Sequence, residues 1–211
     1  MSAALQPYTT LLKRGKRIPA HLVREAFGGI SFYYPDYRAV MNQTKTLEDI
    51  MADSTLQWIL KEQIGDRLKA NLDMKRYRVG RGEVGIHLGP NENMGLDIAV
   101  FERAMLSSDQ IGAKYANVAP RLVIEIDINI ETAPHSNNLF EDYAMLKIKR
   151  LLDFGVQKVI WIFTKSRMVF IAEPEAKWFF DSWEHEIELM DGILFNVYDT
   201  LVTEGVDPEK V

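Results

Sequence analysis

Carboxylates set inside apolar strands are the residues of this sequence that could do chemistry. Glu125 and Asp127 interrupt the run Leu122-Val-Ile-Glu-Ile-Asp-Ile128. Their spacing of two points both side chains to one face of a strand. Two ionised carboxylates on a buried face are costly unless a cation neutralises them. Asp97 lies in a second apolar stretch, Leu96-Asp-Ile-Ala-Val-Phe101. Side by side, the two strands would bring Asp97 and Glu125 within reach of one hard divalent ion. Mg²⁺ and Mn²⁺ prefer carboxylate and water oxygens. The spacing is equally compatible with carboxylates near strand ends that face solvent.

Other polar standouts have plainer readings. His21, His87, His135 and His185 lack the spacing of zinc ligands. The run Gly80-Arg-Gly-Glu-Val-Gly85 is not followed by the helix that a phosphate loop needs. Trp161, Trp178 and Trp183 read as core or sheet-surface packing. Ser107-Ser-Asp109 reads as a helix cap. Lys75, Arg76, Arg78 and Arg81 surround Tyr77 as a solvated hairpin edge, with a phosphate-contacting edge as the sharper alternative.

The elements that must position the carboxylates follow from periodicity. Residues 18–27 read as a short helix or extended lead-in, broken by Gly28-Gly29, with a strand at Ile30–Tyr34 stopped by Pro35. Apolar positions at Leu56, Ile59, Leu60, Ile64, Leu68 and Leu72 predict a helix over 54–72 with Ser54 as N-cap. Tyr77–Arg81 and Val84–Leu88 predict a hairpin around Gly82. Strands follow at Leu96–Phe101 and Arg121–Ile128. Leu139–Phe154 predicts a helix ended by Gly155. Gln157–Phe163 is then a strand, with Arg167–Ala172 hairpinning back onto it. Residues 177–204 read as one or two strands and a short terminal helix. The strand–helix–strand run from Arg121 to Phe163 is a crossover joining parallel strands. The fold class expected is α/β (α+β), a mixed sheet with helices on its faces.

Composition bounds the setting. The 211 residues suit a single domain spanning the chain, with an acidic C-terminal segment at 176–211. There is no cysteine, which excludes disulfides and thiolate metal sites and fits a reducing cytoplasm. No signal peptide and no apolar run of roughly 20 residues predicts a membrane association. The net charge of −5 argues against a polyanion partner at face value. From Glu173 onward, however, there are 11 acidic and two basic residues, against 19 acidic and 23 basic before it. The main body is mildly basic, and nucleic-acid binding depends on local basic surface more than on net charge.

The ordered set Gly95-Leu-Asp97-Ile-Ala-Val, Pro120-Arg-Leu-Val-Ile-Glu125-Ile, Lys147, Gly155-Val156 and Val159-Ile-Trp161-Ile-Phe resembles the Uma2 family, or DUF820. That family is a branch of the PD-(D/E)xK superfamily, and the resemblance covers roughly residues 20–175. It implies a restriction-endonuclease-like core, a mixed β-sheet flanked by helices. It also implies a Mg²⁺- or Mn²⁺-dependent endonuclease acting on phosphodiester bonds in nucleic acid, DNA foremost. A catalytically inactive binding or assembly module of the same fold is the alternative. On this resemblance Asp97 matches the metal-binding Asp, with Leu96 in place of the usual Pro, and Glu125 matches the acidic residue of the (D/E)xK motif. The place two residues on, where the superfamily usually has Lys, holds Asp127. That residue is either a further metal ligand or a mark of lost catalysis. Lys147, eight residues before Gly155, matches the lysine that this family supplies from the following helix. Lys149 would lie about 200° around that helix. Glu25, ahead of Gly28-Gly29, resembles the family's N-terminal glutamate. Superfamily members often dimerise, and the aromatic residues Trp178, Phe179, Phe180, Trp183 and Phe195 add to an expectation of a homodimer.

Overall fold

A computed structural model of the protein describes residues 18–90, 92–126 and 143–211. Asp127, His135 and the first residues of the helix expected from Leu139 lie outside the described residues. A 3₁₀ turn at Ala20–Leu22 leads into β1 (Val23–Phe27), which hairpins through Gly28-Gly29 to β2 (Ile30–Tyr33). Two short helices follow, α1 (Tyr37–Met41) and α2 (Glu48–Met51). They close a small apolar cluster of Leu22, Tyr37 and Ile50.

The long helix α3 (Thr55–Asn71) starts where the sequence places it. Ser54 and Gln57 form a reciprocal capping box that satisfies two orphan N–H groups of the first turn. The next element departs from expectation. Tyr77–Arg81 and Val84–Leu88 do not fold back on each other but form one strand, β3 (Tyr77–Gly89). Gly82 at φ +74° and Glu83 at φ +43° make a bulge there, so the chain kinks and continues. The hairpin is instead β3 against β4 (Glu92–Glu102), in register from Tyr77↔Glu102 to Gly89↔Glu92. Arg76, just before β3, and Arg81 within it are occupied by the protein itself. Arg76 pairs with Glu102 at 3.1 Å, and Arg81 with Glu62 and Asp66 at 2.9 Å. Tyr77 is buried and donates to Asp191 at 2.8 Å.

β5 (Leu122–Ile126) lies antiparallel to β4 and parallel to β6 (Lys158–Phe163). The connection runs through α4 (Met145–Phe154), the expected crossover. Gly155 caps α4 at φ +113°, a left-handed conformation that glycine adopts without a Cβ penalty. β7 (Met168–Ala172) and β8 (Phe179–Ser182) extend the sheet antiparallel, giving the order β2-β1-β4-β5-β6-β7-β8 with β3 on the other edge of β4. β9 (Ile187–Met190), β10 (Ile193–Phe195) and α5 (Val197–Thr203) complete the described elements. The acidic end of the chain thus holds three strands, where one or two were expected.

Both faces of the central strands are covered, which explains their nearly unbroken apolar sequences. Leu122, Ile124, Ile126, Ile160 and Ile162 pack with Leu60, Ile64 and Leu68 of α3. Val123, Val159 and Trp161 pack with Ile148 and Leu151 of α4. The acidic end packs into the fold. Its Ile187, Leu189, Phe195, Val197 and Leu201 join the α3-side core. No helix among the described residues is long and apolar enough to cross a membrane.

Candidate active site at the end of the β4–β5 ladder

The ladder between β4 and β5 runs over Val100↔Leu122, Ala99↔Val123 and Ile98↔Ile124. Continued by one residue, this register sets Asp97 opposite Glu125, where facing Cα atoms in a regular ladder are about 5 Å apart. At this point Asp97 Oδ2 accepts the backbone N–H of Ile126 at 2.8 Å. The two carboxylates therefore sit where the sheet begins to open. Both are buried, at 2% and 0% exposure, so the reading of solvent-facing strand ends does not describe them.

A lysine from each helical layer neutralises each acid. From α4, Lys147 Nζ lies 3.1 Å from Glu125 Oε1 and 3.0 Å from Glu25 Oε1, and donates to the carbonyl of Gly95 at 2.9 Å. From α3, Lys61 Nζ lies 2.7 Å from Asp97 Oδ1 and 2.8 Å from Asp53 Oδ2. Glu25, on β1, is held further by the Tyr143 hydroxyl at 2.7 Å and the Gly95 N–H at 3.2 Å. Glu25, Asp97, Glu125 and Lys147 thus come together from β1, β4, β5 and α4. Asp127 lies outside the described residues.

Lys147 belongs to the centre of the buried face of α4. Tyr143, Ala144, Ile148 and Leu151 are buried with it, while Lys149 is exposed and Leu146 and Phe154 are only partly covered. A π-type turn at Tyr143–Ala144 precedes the α-helical residues and sets Tyr143 over the same site. The Lys147 ammonium also sits 5.7 Å from the Tyr143 ring centre and 6.0 Å from that of Trp161, within cation–π range.

Burial and charge set the protonation states. Desolvation pushes Glu125 up to about 8; Lys147 opposes this, while Asp97 and Glu25 add to it. For Lys147, burial opposes the charge, but Glu125 and Glu25 outweigh it and raise its pKa. The same balance raises Lys61, with Asp97 the first of its carboxylate partners. Burial, then Glu25, keeps the Tyr143 hydroxyl protonated well above the usual range. At neutral pH the two lysines are ammonium ions, and Glu125 is the group poised between charge states.

Glu125 has one further property. The approach of Lys147 is a charge contact without hydrogen-bond alignment, and among the described residues both Glu125 oxygens lack a hydrogen-bond partner. Buried carboxylate oxygens are normally hydrogen-bonded, so such an orphan asks for a ligand. A hard divalent ion that keeps several waters needs only one or two protein carboxylates. Asp97 and Glu125 fit that donor set. No third carboxylate or imidazole joins them at ligand spacing among the described residues.

Sequence reasoning did not single out Lys61 or Tyr143. A signal existed for Lys61. Lys61 occupies the apolar stripe of α3 three residues before Ile64, as Lys147 occupies that of α4 between Tyr143 and Leu151. A lysine on the stripe that a helix turns to the core must find a buried anion.

No protein-family model matches the chain, and no curated protein matches its sequence. Solved structures do. One, from Anabaena variabilis ATCC 29413, is described as a provisionally assigned nuclease belonging to DUF820. It superposes at a TM-score of 0.60 with 15% identity, over 84% of this chain and 89% of its own. At that identity the likeness carries architecture: the chain has the mixed-sheet fold of this DUF820 structure.

Proposed function

We propose that this chain is a Mg²⁺- or Mn²⁺-dependent endonuclease that hydrolyses phosphodiester bonds in nucleic acid, DNA being the expected substrate. The observation that carries the reading is Glu125, a fully buried carboxylate whose two oxygens have no hydrogen-bond partner among the described residues, set beside Asp97. The fold shared with a DUF820 structure described as a nuclease supports the same reading. Bound by Asp97 and Glu125, the metal ion would supply Lewis acidity toward a phosphate oxygen and the attacking water. Lys147 is held as an ammonium by Glu25 and Gly95, which suits electrostatic stabilisation of the charge that builds on the phosphorus centre and not general-base work. Glu25 and Tyr143 position that ammonium. Lys61 orients Asp97, whose other oxygen is fixed by the Ile126 N–H. Asp127 is either a further ligand or a brake on phosphate entry.

Incubation of supercoiled plasmid with the protein and Mn²⁺ should give nicked and linear products that vanish with chelator. Asp97→Asn should reduce the rate at least a hundredfold. Cleavage that survives both changes would end this assignment.

One observation favours a second reading, a silent binding or assembly module. Asp97, Glu125 and Lys147 are all at most 2% exposed, and each acid already has a lysine partner. We further propose a homodimer. Trp183 and Phe195 are buried in their own chain, but Phe179 and Phe180 remain about half exposed on the edge strand β8. Edge strands with apolar surface favour pairing with another chain. Light scattering at micromolar concentration should return twice the 24.2 kDa chain mass; the mass of one chain would sink the dimer.

A further inference from the structure

A cavity lies along the β3–β4 hairpin from the candidate active site. Its volume is about 520 Å³, and it is lined by His87, Asn93, Gln110, Lys114, Tyr115 and Asn117. In a chain with an excess of acidic residues, this lining contains none. It offers amide and imidazole donors and acceptors, one cation, and one aromatic ring.

The Tyr115 ring is 58% exposed, and the backbone that carries it is held in place. The Ala116 N–H donates to the Gly85 carbonyl at 3.0 Å, and the His87 N–H donates to the Ala116 carbonyl at 2.7 Å. These two bonds pin the Tyr115–Asn117 segment to the edge of β3. The Tyr115 ring packs against Gly85, where an added Cβ would come within 2.4 Å of Cδ1. A strand glycine is required for that close approach. His87 Nδ1 and Asn93 Oδ1 hold each other at 2.7 Å across the β3–β4 ladder. Gly85 is the register partner of Gly95, whose N–H and C=O bind Glu25 and Lys147. Asn93 lies on β4 four residues before Asp97, about 13 Å at strand rise.

We propose that this cavity is a subsite for one unpaired nucleobase of a nucleic-acid strand whose phosphodiester backbone passes Asp97 and Glu125. The inference rests on the nuclease reading. An exposed aromatic ring on an anchored backbone is a surface on which an unpaired base stacks. Side-chain amides of Asn and Gln present paired donor and acceptor groups that match base edges. Lys114 supplies a contact for the flanking phosphate. A cavity of this size accommodates a ligand on the scale of a nucleoside.

The test is fluorescence anisotropy of a 5′-labelled single-stranded 12-residue oligodeoxynucleotide with the full chain in EDTA, so that binding is read without cleavage. Tyr115→Ala should weaken binding about fivefold or more, the low end of what base–aromatic stacking contributes. Tyr115→Phe should retain it. Gly85→Ala, which leaves every polar group in place but displaces the ring, should weaken it as Tyr115→Ala does. An abasic oligonucleotide of the same length should bind wild type and Tyr115→Ala equally and weakly. Equal affinity of wild type and both variants for the base-bearing strand would overturn the proposal, as would no binding by wild type. Binding that follows this pattern without cleavage in Mn²⁺ would instead leave the subsite standing and remove the nuclease reading.

Discussion

Replacing Lys147 by alanine should abolish DNA cleavage in Mn²⁺ and lower the unfolding free energy by about 3–5 kcal/mol. Lys149→Ala should leave cleavage nearly intact and change stability by no more than about 0.5 kcal/mol. The contrast between two lysines two positions apart follows from burial. Lys147 has no exposed side-chain surface and faces Glu25 and Glu125 at 3.0 and 3.1 Å, whereas Lys149 points to solvent. Alanine at 147 would leave two buried carboxylates without their cation and the Gly95 carbonyl without its donor. A buried ion pair is weak evidence of net stabilisation, but removing one partner is costly because the other charge stays buried. Lys147→Met distinguishes the two roles. It preserves the packing against Tyr143 and Trp161, so it should recover part of the stability and none of the cleavage. Urea denaturation and a plasmid assay run below the melting temperature give the two readouts. Equal cleavage by wild type and Lys147→Ala would remove Lys147 from the reaction.

The second large effect is a pH dependence of stability in the metal-free protein. Burial raises the Glu125 carboxyl from 4.5 to about 8 in the folded state. Below pH 4.5 the group is protonated in both folded and unfolded chains, and no penalty exists. Between 4.5 and 8 the unfolded chain releases the proton while the folded chain retains it, so stability falls as pH rises through that window. The size is on the order of 4 kcal/mol across the window. Other groups also titrate there, so the quantity to measure is the difference between wild type and Glu125→Gln. In EDTA, the variant should become more stable relative to wild type as pH goes from 5 to 8. Mn²⁺ should counteract the loss in wild type, more strongly at pH 8 than at pH 6, because a ligating carboxylate must shed its proton. Parallel pH profiles for the two proteins would show that Glu125 is not the strained acid.

Much of this arrangement is legible in the order of residues along the chain. Apolar runs marked β5 and β6 as strands covered on both faces, and 3.6-residue spacing with Ser54 and Gly155 marked the start of α3 and the end of α4. The acids Asp97 and Glu125 were legible because charge is expensive in such strands. Lys147 and Glu25 became candidates through a pattern of order and spacing. Tertiary structure decided the rest. The β3 segment looked like a hairpin because Gly82 punctuates it, and only pairing with β4 along its whole length shows a bulge there. Arg76 and Arg81 looked available, and only the fold brings Glu102 to the first and Glu62 and Asp66 to the second. Lys61, more than thirty residues from Asp97 along the chain, carries no local mark of its partner. Periodicity reports which face of an element is buried, because burial is a property of one element against its surroundings. Which cation meets which carboxylate is set by strand order and register, and those are fixed by contacts between residues far apart in the chain.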